Sequence, residues 1–169
     1  MKKIFLSVMF LVAFLTLANA QKNFQWTPFL HQTGMYFTSD QITSDGFGAG
    51  IGIHALHKTQ IAGQADVNIL WGNGNAITTR LALGYEKKGS WTPGIYATMN
   101  LIWGQKVQIL SETGEKPPVP AMAFGIRLTP LKFQTKTGYV SALEFGYGFS
   151  QNNGMSIEFS LLSVGLKFK

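Results

Sequence analysis

Six charged side chains stand within segments that are otherwise apolar, small or uncharged, and they are the first candidates for chemistry. They are Asp66, Arg80, Glu86, Arg127, Glu144 and Glu158. Carboxylates and guanidinium groups in such surroundings either form ion pairs or line a gate that opens a small pore when they rearrange. Because an isolated buried charge is costly, we expect the six to pair with one another, beginning with Asp66 and Arg80.

The other candidate sites have simpler explanations. His54 and His57 point to opposite faces of an expected strand, so they do not form a metal pair. Glu112 and Glu115 belong to a proline-rich loop, which favours solvation over a cation site. The glycine run at 46–52 misses the G-x-G-x-x-G spacing and precedes no helix, which argues against a nucleotide-binding loop. We therefore expect no catalytic residues, no cofactor and no metal.

The stretch from 60 to 86 indicates which elements carry the charges. Apolar residues occupy most odd positions of 61–71 and of 77–85, and the even positions are polar or small. Side chains alternate between the two faces of a strand, and the Asn-Gly at 73–74 is a hairpin signal. Residues that pair across a hairpin lie on the same face of the sheet. Because the apolar residues of both strands have odd numbers, the numbers of two paired residues must sum to an even number. The loop is then centred near Asn73, and Asp66 lies opposite or diagonal to Arg80.

The same alternation predicts eight strands, of which the first is the least regular. They cover residues 29–38, 47–55, 60–71, 77–86, 91–103, 121–129, 139–150 and 157–168. Residues 130–137 are expected to form a turn, and a change of parity at Leu161-Leu162 predicts a bulge. Strands with short connections can close into a barrel that has no free edge, and an even number brings both termini to one end.

The N-terminus has the pattern of an export signal. Lys2 and Lys3 precede the apolar run at 4–17 and an Ala-x-Ala site, which predicts a cleavable signal peptide over residues 1–20. An uncleaved anchor is the alternative. The remaining residues, 21–169, are expected to form one barrel domain. No later run reaches the ~18 apolar residues that a membrane-spanning helix needs, so any membrane span must consist of strands.

Composition indicates which face of the strands meets water. Charged residues make up only 13% of the chain, and there is no cysteine. The polar strand faces are rich in glycine and hold no lysine, because the lysines fall in expected turns, loops and termini. Such faces suit a crowded barrel interior better than a solvated surface. We therefore expect the apolar faces to meet lipid. A soluble, lipocalin-like ligand-binding barrel is a third alternative, and nucleic-acid binding is not expected.

Aromatic residues fall at two levels, as they do in transmembrane barrels. With the N-terminus in the periplasm, the outer level holds Trp71, Trp103, Tyr147 and Phe149, and the inner level holds Tyr85, Trp91, Tyr139 and Phe168. The two long loops, 39–46 and 105–119, emerge at the outer end. The expected fold is thus an all-β, eight-stranded antiparallel up-and-down transmembrane β-barrel.

The C-terminus carries a further pattern. Ser163-Val164-Gly165-Leu166-Lys167-Phe168 matches the first six positions of the polar-x-Gly-x-x-aromatic-x-aromatic assembly signal, and the final aromatic of that signal is missing after Lys169. The chain resembles the small outer-membrane barrels of the OmpX and OmpA type along its mature length. Its two ends are similar to those of Bacteroidota envelope proteins. The resemblance implies a place in the outer membrane of a Gram-negative cell, contact with outer-membrane lipid, and insertion by the barrel-assembly machinery.

Some barrels of this type are lipid-modifying enzymes, which makes such an activity the second functional hypothesis. The resemblance implies that it needs a histidine, a serine and a carboxylate near the outer leaflet. His54 and His57 lie at the inner end, and His31 is far in level from Ser150 and Ser156. The preferred hypothesis is therefore a structural or protein-interaction role, including that of an accessory subunit of a larger envelope complex.

Contacts with another protein are expected through the long outer loops, because rigid barrels place function on their loops. The residues proposed for such contacts are Asp40, Asp45, Glu112, Glu115, Pro117 and Pro118. The inner end is basic, which favours anionic lipid headgroups or, alternatively, an acidic periplasmic partner. Its lysines are Lys22, Lys58, Lys87, Lys88, Lys132, Lys136, Lys167 and Lys169.

Overall fold

A computed structural model describes residues 24–38, 43–72, 75–103, 121–150 and 154–167. Its strands are β1 (Phe24–Thr38), β2 (Thr43–His57), β3 (Ile61–Gly72), β4 (Ala76–Glu86), β5 (Gly94–Trp103), β6 (Ala121–Thr129), β7 (Leu131–Gln134), β8 (Gly138–Ser150) and β9 (Gly154–Leu166). Neighbouring strands are antiparallel, β1 pairs with β9, and β6 pairs with both β5 and β8, so the sheet closes on itself. Among the described residues, no helix is long and apolar enough to cross a membrane.

Strands β6 and β7 together occupy one position in the barrel wall. Leu128 pairs with Phe145 and Leu131 pairs with Ala142, so β6 and β7 keep a single register against β8. Pro130 separates them because proline has no N–H to donate to the ladder. The prediction of a turn over 130–137 was wrong for Leu131–Gln134, since the chain resumes pairing immediately after the proline. The barrel is therefore eight-stranded, as predicted.

The register predicted for the hairpin of β3 and β4 is confirmed. Asp66 pairs directly with Arg80, and Leu70 pairs with Ala76, which centres the loop on position 73. Several strand boundaries differ from the prediction: β1 begins at Phe24 and β2 at Thr43, each earlier than expected, while β5 begins only at Gly94 and β9 already at Gly154. Asp45 therefore lies in β2, paired with Tyr36, and not in a loop.

A row of irregularities crosses three adjacent wall strands. In β9, the inward Ser160 and Ser163 are separated by Leu161 and Leu162, which confirms the predicted bulge. The sequence pattern did not reveal the two neighbouring irregularities. In β6–β7, two outward residues separate the inward Thr129 from the inward Lys132. In β8, Ser141 and Glu144 are both inward and are likewise three residues apart.

The irregularity in β8 reverses the expected faces of that strand's first residues. Leu143 has a φ of +53°, a left-handed conformation that non-glycine residues seldom adopt. Before this point the odd positions face inward, so Tyr139 and Ser141 are buried and Val140 is exposed. The prediction that Tyr139 faces outward and Val140 inward was wrong, because it carried one parity through the whole strand.

The barrel has an apolar exterior and a polar interior. Leu30 and Leu83 are 64% and 66% exposed, whereas Arg80 and Arg127 are each only 1% exposed. Soluble domains show the reverse, with charged residues almost never fully buried unless paired. Glycine makes room for this filling: a Cβ on Gly50 would stand 1.9 Å from Asn68 Oδ1 and 2.6 Å from His31 Nε2.

Candidate functional site: the barrel interior and its rims

The interior has an apolar layer at one end of the barrel. We call this end, where β1 is followed by β2 and β3 by β4, the loop end; the opposite end, which holds Phe24 and Lys167, is the terminal end. The apolar layer consists of Met35, Phe37, Leu70, Ala76, Ile102, Ala121 and Ala123. The sequence predicts a barrel with a filled polar lumen, and this prediction was wrong at the loop end, where the filling is apolar. Met35 and Phe37 belong to the strand whose alternation was least regular.

Below the apolar layer lies a central cluster formed by Asp66, Arg80, Arg127, Glu144 and Glu158. Arg80 donates to Asp66 Oδ2 from Nε at 2.9 Å and from Nη2 at 2.6 Å, and to Glu158 Oε2 from Nη1 at 3.2 Å. Arg127 donates to Glu144 Oε2 from Nε at 3.1 Å, and its Nη1 lies 3.4 Å from Glu158 Oε2. Glu158 thus bridges the two arginines, whose partners come from β3, β8 and β9.

The central cluster holds one more carboxylate than guanidinium groups. Neutral donors stabilise the surplus negative charge: the Asn68 side-chain amide donates to Asp66 Oδ1 at 2.7 Å, and the Asn100 amide donates to Glu158. Hydrogen bonds to an ionised acceptor are stronger than those between neutral groups, especially away from water. The cluster is therefore a crosslinked core that ties together strands on opposite sides of the lumen.

A second cluster fills the terminal end around Glu86. Its carboxylate accepts hydrogen bonds from the Tyr96 hydroxyl and the Lys132 ammonium, and its Oε1 lies 2.9 Å from His54 Nε2. Lys132 Nζ is also 3.1 Å from His54 Nε2 and 4.2 Å from the centre of the Tyr139 ring. The six charges expected in the lumen are thus divided between two clusters, with Glu86 apart from the other five.

Lys132 and Tyr139 are lumen residues that sequence reasoning missed. Lys132 was assigned to the solvated basic end, which is wrong because it is only 1% exposed. Tyr139 was assigned to the inner aromatic level, which is wrong because it is 2% exposed and faces His54 and Lys132. The available signal for Lys132 was its position between Leu131 and Phe133, which is the alternation of a strand.

One arrangement in the lumen has the residue types of a hydrolase triad. His31 Nδ1 lies 3.0 Å from Ser160 Oγ, and His31 Nε2 lies 3.7 Å from Asp66 Oδ1. In a working triad the serine hydroxyl gives its proton to the histidine. Here Ser160 Oγ donates to the backbone carbonyl of Gln32 at 2.8 Å, and all three side chains are buried. The geometry therefore does not activate a nucleophile.

Aromatic side chains surround the barrel exterior near both ends. Trp71, Trp103, Tyr147 and Phe149 are exposed towards the loop end, and Tyr85 and Trp91 are exposed towards the terminal end. Trp26 and Phe133 join the latter group, although they were not predicted. Trp91 Nε1 donates to the Pro130 carbonyl at 2.8 Å, and Lys87 Nζ lies 5.1 Å from its ring centre. Phe168 lies outside the described residues.

The terminal rim is basic, with exposed Lys58, Lys87, Lys88 and Lys136 and a half-buried Lys167. Lys22 and Lys169 lie outside the described residues. So do five of the residues proposed for partner contacts, namely Asp40, Glu112, Glu115, Pro117 and Pro118. In the part of the chain that the structure describes, no group of three or more histidine and carboxylate side chains is placed to hold a metal ion.

The comparisons with known proteins concern the fold. No protein-family model and no curated protein matches the sequence. The structure is similar to that of Neisserial surface protein A, with 12% identity and a TM-score of 0.62 over 85% of this chain and 97% of that one. It is also similar to Ail, the attachment invasion locus protein of Yersinia pestis, solved with the heparin analogue sucrose octasulfate; there the identity is 7%, the TM-score 0.50, and the coverage 86% and 99%. At these identities the likeness establishes the fold alone.

Proposed function

We propose that this protein is an integral β-barrel of the bacterial outer membrane, with its terminal end in the periplasm and its lumen permanently filled. The observation that carries the proposal is the inverted distribution of side chains: exposed apolar residues surround a wall whose inner face holds two ionic clusters. Hydrocarbon solvates such an exterior, and water does not. The similarity in fold to Neisserial surface protein A supports the proposal.

Cell fractionation tests this localisation. The mature protein is expected in the outer-membrane fraction, resistant to washing with salt or alkaline carbonate and released only by detergent. A soluble barrel of the lipocalin kind would instead appear in the periplasmic fraction without detergent.

Mass analysis of the mature N-terminus tests the export signal, for which we propose cleavage after residue 20. Depletion of the barrel-assembly machinery is expected to leave the protein unfolded in the periplasm.

Within the membrane, we propose a structural or protein-interaction role, including that of an accessory subunit of a larger envelope complex. In the part of the chain that the structure describes, an apolar layer and two ionic clusters fill the lumen, which favours contacts through the exterior and the connections over transport. The long outer loops predicted over 39–46 and 105–119 are the proposed contact regions; of these residues, 43–46 lie in β2. The lipid-modifying alternative has no support from the Ser160 geometry.

A pull-down from mildly solubilised membranes tests the interaction role. A stable envelope partner is expected to co-purify with the native protein. Replacing residues 111–119 by a Gly/Ser linker of equal length should release the partner, whereas the Lys136→Ala variant at the terminal rim should retain it. Recovery of the same proteins with both variants would argue against a contact through this connection.

The basic terminal rim is proposed to contact anionic lipid headgroups. Lys87 is held over Trp91, which places a cation beside an aromatic ring at the expected membrane boundary. Each lysine near an anionic surface contributes about 1 kcal/mol. An acidic periplasmic partner remains the second candidate, and the pull-down would recover it as a protein lost when Lys87 and Lys88 are replaced by glutamine.

A further inference from the structure

One side-chain amide, that of Gln32, lies on the apolar exterior. Among the described strands, Gln32 is the only residue with a side-chain amide that faces outward between the two aromatic levels, and it is exposed. It lies six residues along β1 from Trp26 at the terminal end and four from Tyr36, which is exposed beside the aromatic residues of the loop end. With a rise of about 3.3 Å per residue on a strand tilted by about 40°, the amide lies roughly 10 Å from the nearer aromatic level.

The local backbone holds Gln32 outward and leaves its amide without a partner. Gln32 lies between His31 and Thr33, where the register of β1 against β9 shifts across the Leu161-Leu162 bulge. Its backbone carbonyl already accepts a hydrogen bond from Ser160 Oγ at 2.8 Å. Its side-chain amide makes no hydrogen bond to any described residue. In hydrocarbon that leaves both a donor and an acceptor unsatisfied.

The groove that holds Gln32 on the outer wall is lined mainly by apolar side chains. The side chains around Gln32 are apolar, including Leu30, Ile51 and Leu162, and its cross-strand neighbour on β2 is the small Ala49. A glutamine side chain is too short to reach the headgroups from this depth, unlike a lysine or arginine near a strand end. An amide at this depth is costly in hydrocarbon, and polar groups inside a membrane usually face protein or water.

We propose that this patch, formed by Gln32 with Leu30, Ala49, Ile51 and Leu162, is the contact surface for a second copy of the chain. Two copies inserted in the same direction are related by a two-fold axis along the membrane normal. Each residue of one copy then lies at the same depth as that residue of the other, so the two Gln32 side chains can meet. A primary amide is its own complement, because each NH2 can donate to the other's carbonyl. Ala49 allows the two walls to approach closely. The inference rests on the proposed membrane location.

Crosslinking tests this surface, because the chain has no cysteine of its own. A49C places a thiol beside Gln32 and leaves the amide intact, and A97C places one on another exposed outward alanine, on β5. Both variants are expressed in cells, and intact membranes are treated with a short bis-maleimide. A49C is expected to give a product of twice the monomer mass at least tenfold faster than A97C. Adding Q32L to A49C should slow that reaction about tenfold, as loss of ~1.4 kcal/mol would.

Three results would overturn the pairing. They are equal rates for A49C and A97C, an A49C rate that Q32L leaves unchanged, and a crosslinked product containing a different protein. Fractionation of the same membranes separates this failure from that of the proposed function. Variants that are membrane-embedded but not crosslinked reject only the dimer, whereas variants found in the soluble periplasm reject both.

Discussion

Arg80 has surroundings unlike those of an ordinary surface ion pair. Its guanidinium contacts Asp66 and Glu158, and both acids are buried. Asp66 belongs to the adjacent strand, and Glu158 reaches Arg80 from β9, four positions away round the wall. Arg80 therefore stabilises both a local hairpin and the closed cross-section of the barrel.

The Arg80→Leu variant is expected to lower the free energy of unfolding by roughly 3 to 5 kcal/mol, because it leaves two buried acids without that partner. Urea-induced unfolding in lipid vesicles measures the change. A loss of about 1 kcal/mol or less, typical of an exposed pair, would contradict the buried network. The double variant Arg80→Leu with Asp66→Leu removes charge from both sides and should recover part of the loss.

Lys132 and Lys136 form a matched pair that tests the corrected course of the chain after Pro130. Lys132→Met removes a buried cation that contacts Glu86, and we expect a destabilisation of roughly 3 kcal/mol or more. Lys136→Met changes an exposed residue and should alter stability by less than about 0.5 kcal/mol. Equal effects in urea-induced unfolding would mean that Lys132 belongs to the solvated rim after all.

At the scale of elements, the row of irregularities in β6–β7, β8 and β9 decides which residues face the lumen. Ser141 is fully buried and Val140 is exposed, which is the reverse of an uninterrupted alternation from Glu144. The irregularities are adjacent, since Ser141 pairs with both Lys132 and Ser163. Paired residues share a face, so β6–β7, β8 and β9 change parity together, and the change ends at β1, where the register shifts between His31 and Thr33.

Thiol labelling tests the faces of β8 directly. In the folded protein, Val140→Cys is expected to react with a small apolar maleimide within minutes. Ser141→Cys, a nearly isosteric change at the next position, should react at least tenfold more slowly and become reactive only on unfolding. Faster labelling at position 141 than at 140 would contradict the bulge at Leu143.

Sequence reasoning found the parts of the fold that depend on unbroken alternation. The parity of Ile69 and Ile77 together with Asn73-Gly74 was enough for the hairpin register and the Asp66–Arg80 pair. It failed where one inserted residue changes parity, as at Leu143, and where proline imitates a turn, as at Pro130. Alternation has a period of two, so a single extra residue moves every later side chain to the other face.

Contacts across the lumen could not be predicted at all. Arg127 meets Glu144 from a strand beside it and Glu158 from one further round the wall. Such partners depend on strand tilt and shear, which are properties of the closed barrel and not of any one segment. The apolar layer around Phe37 could not be predicted for the same reason, since residues from five strands form it.

For the whole molecule, the filling of the lumen predicts the absence of transport. An eight-stranded wall encloses little more than its own side chains, and here those side chains include two ionic clusters and an apolar layer. Purified protein in planar bilayers is expected to give no sustained conductance steps. Regular conductance steps would contradict a permanently closed barrel, if they disappear when Phe37 of the apolar layer is replaced by a larger side chain.

The central claim is that the exterior of the barrel lies in lipid, and the four tryptophans report on it directly. Trp26, Trp71, Trp91 and Trp103 are all exposed on the outer wall. In vesicles of brominated lipid, their fluorescence should be strongly quenched, more so by bromine near the headgroups than at the chain ends, while aqueous acrylamide quenches weakly. Strong quenching by acrylamide with none by brominated lipid would contradict the account.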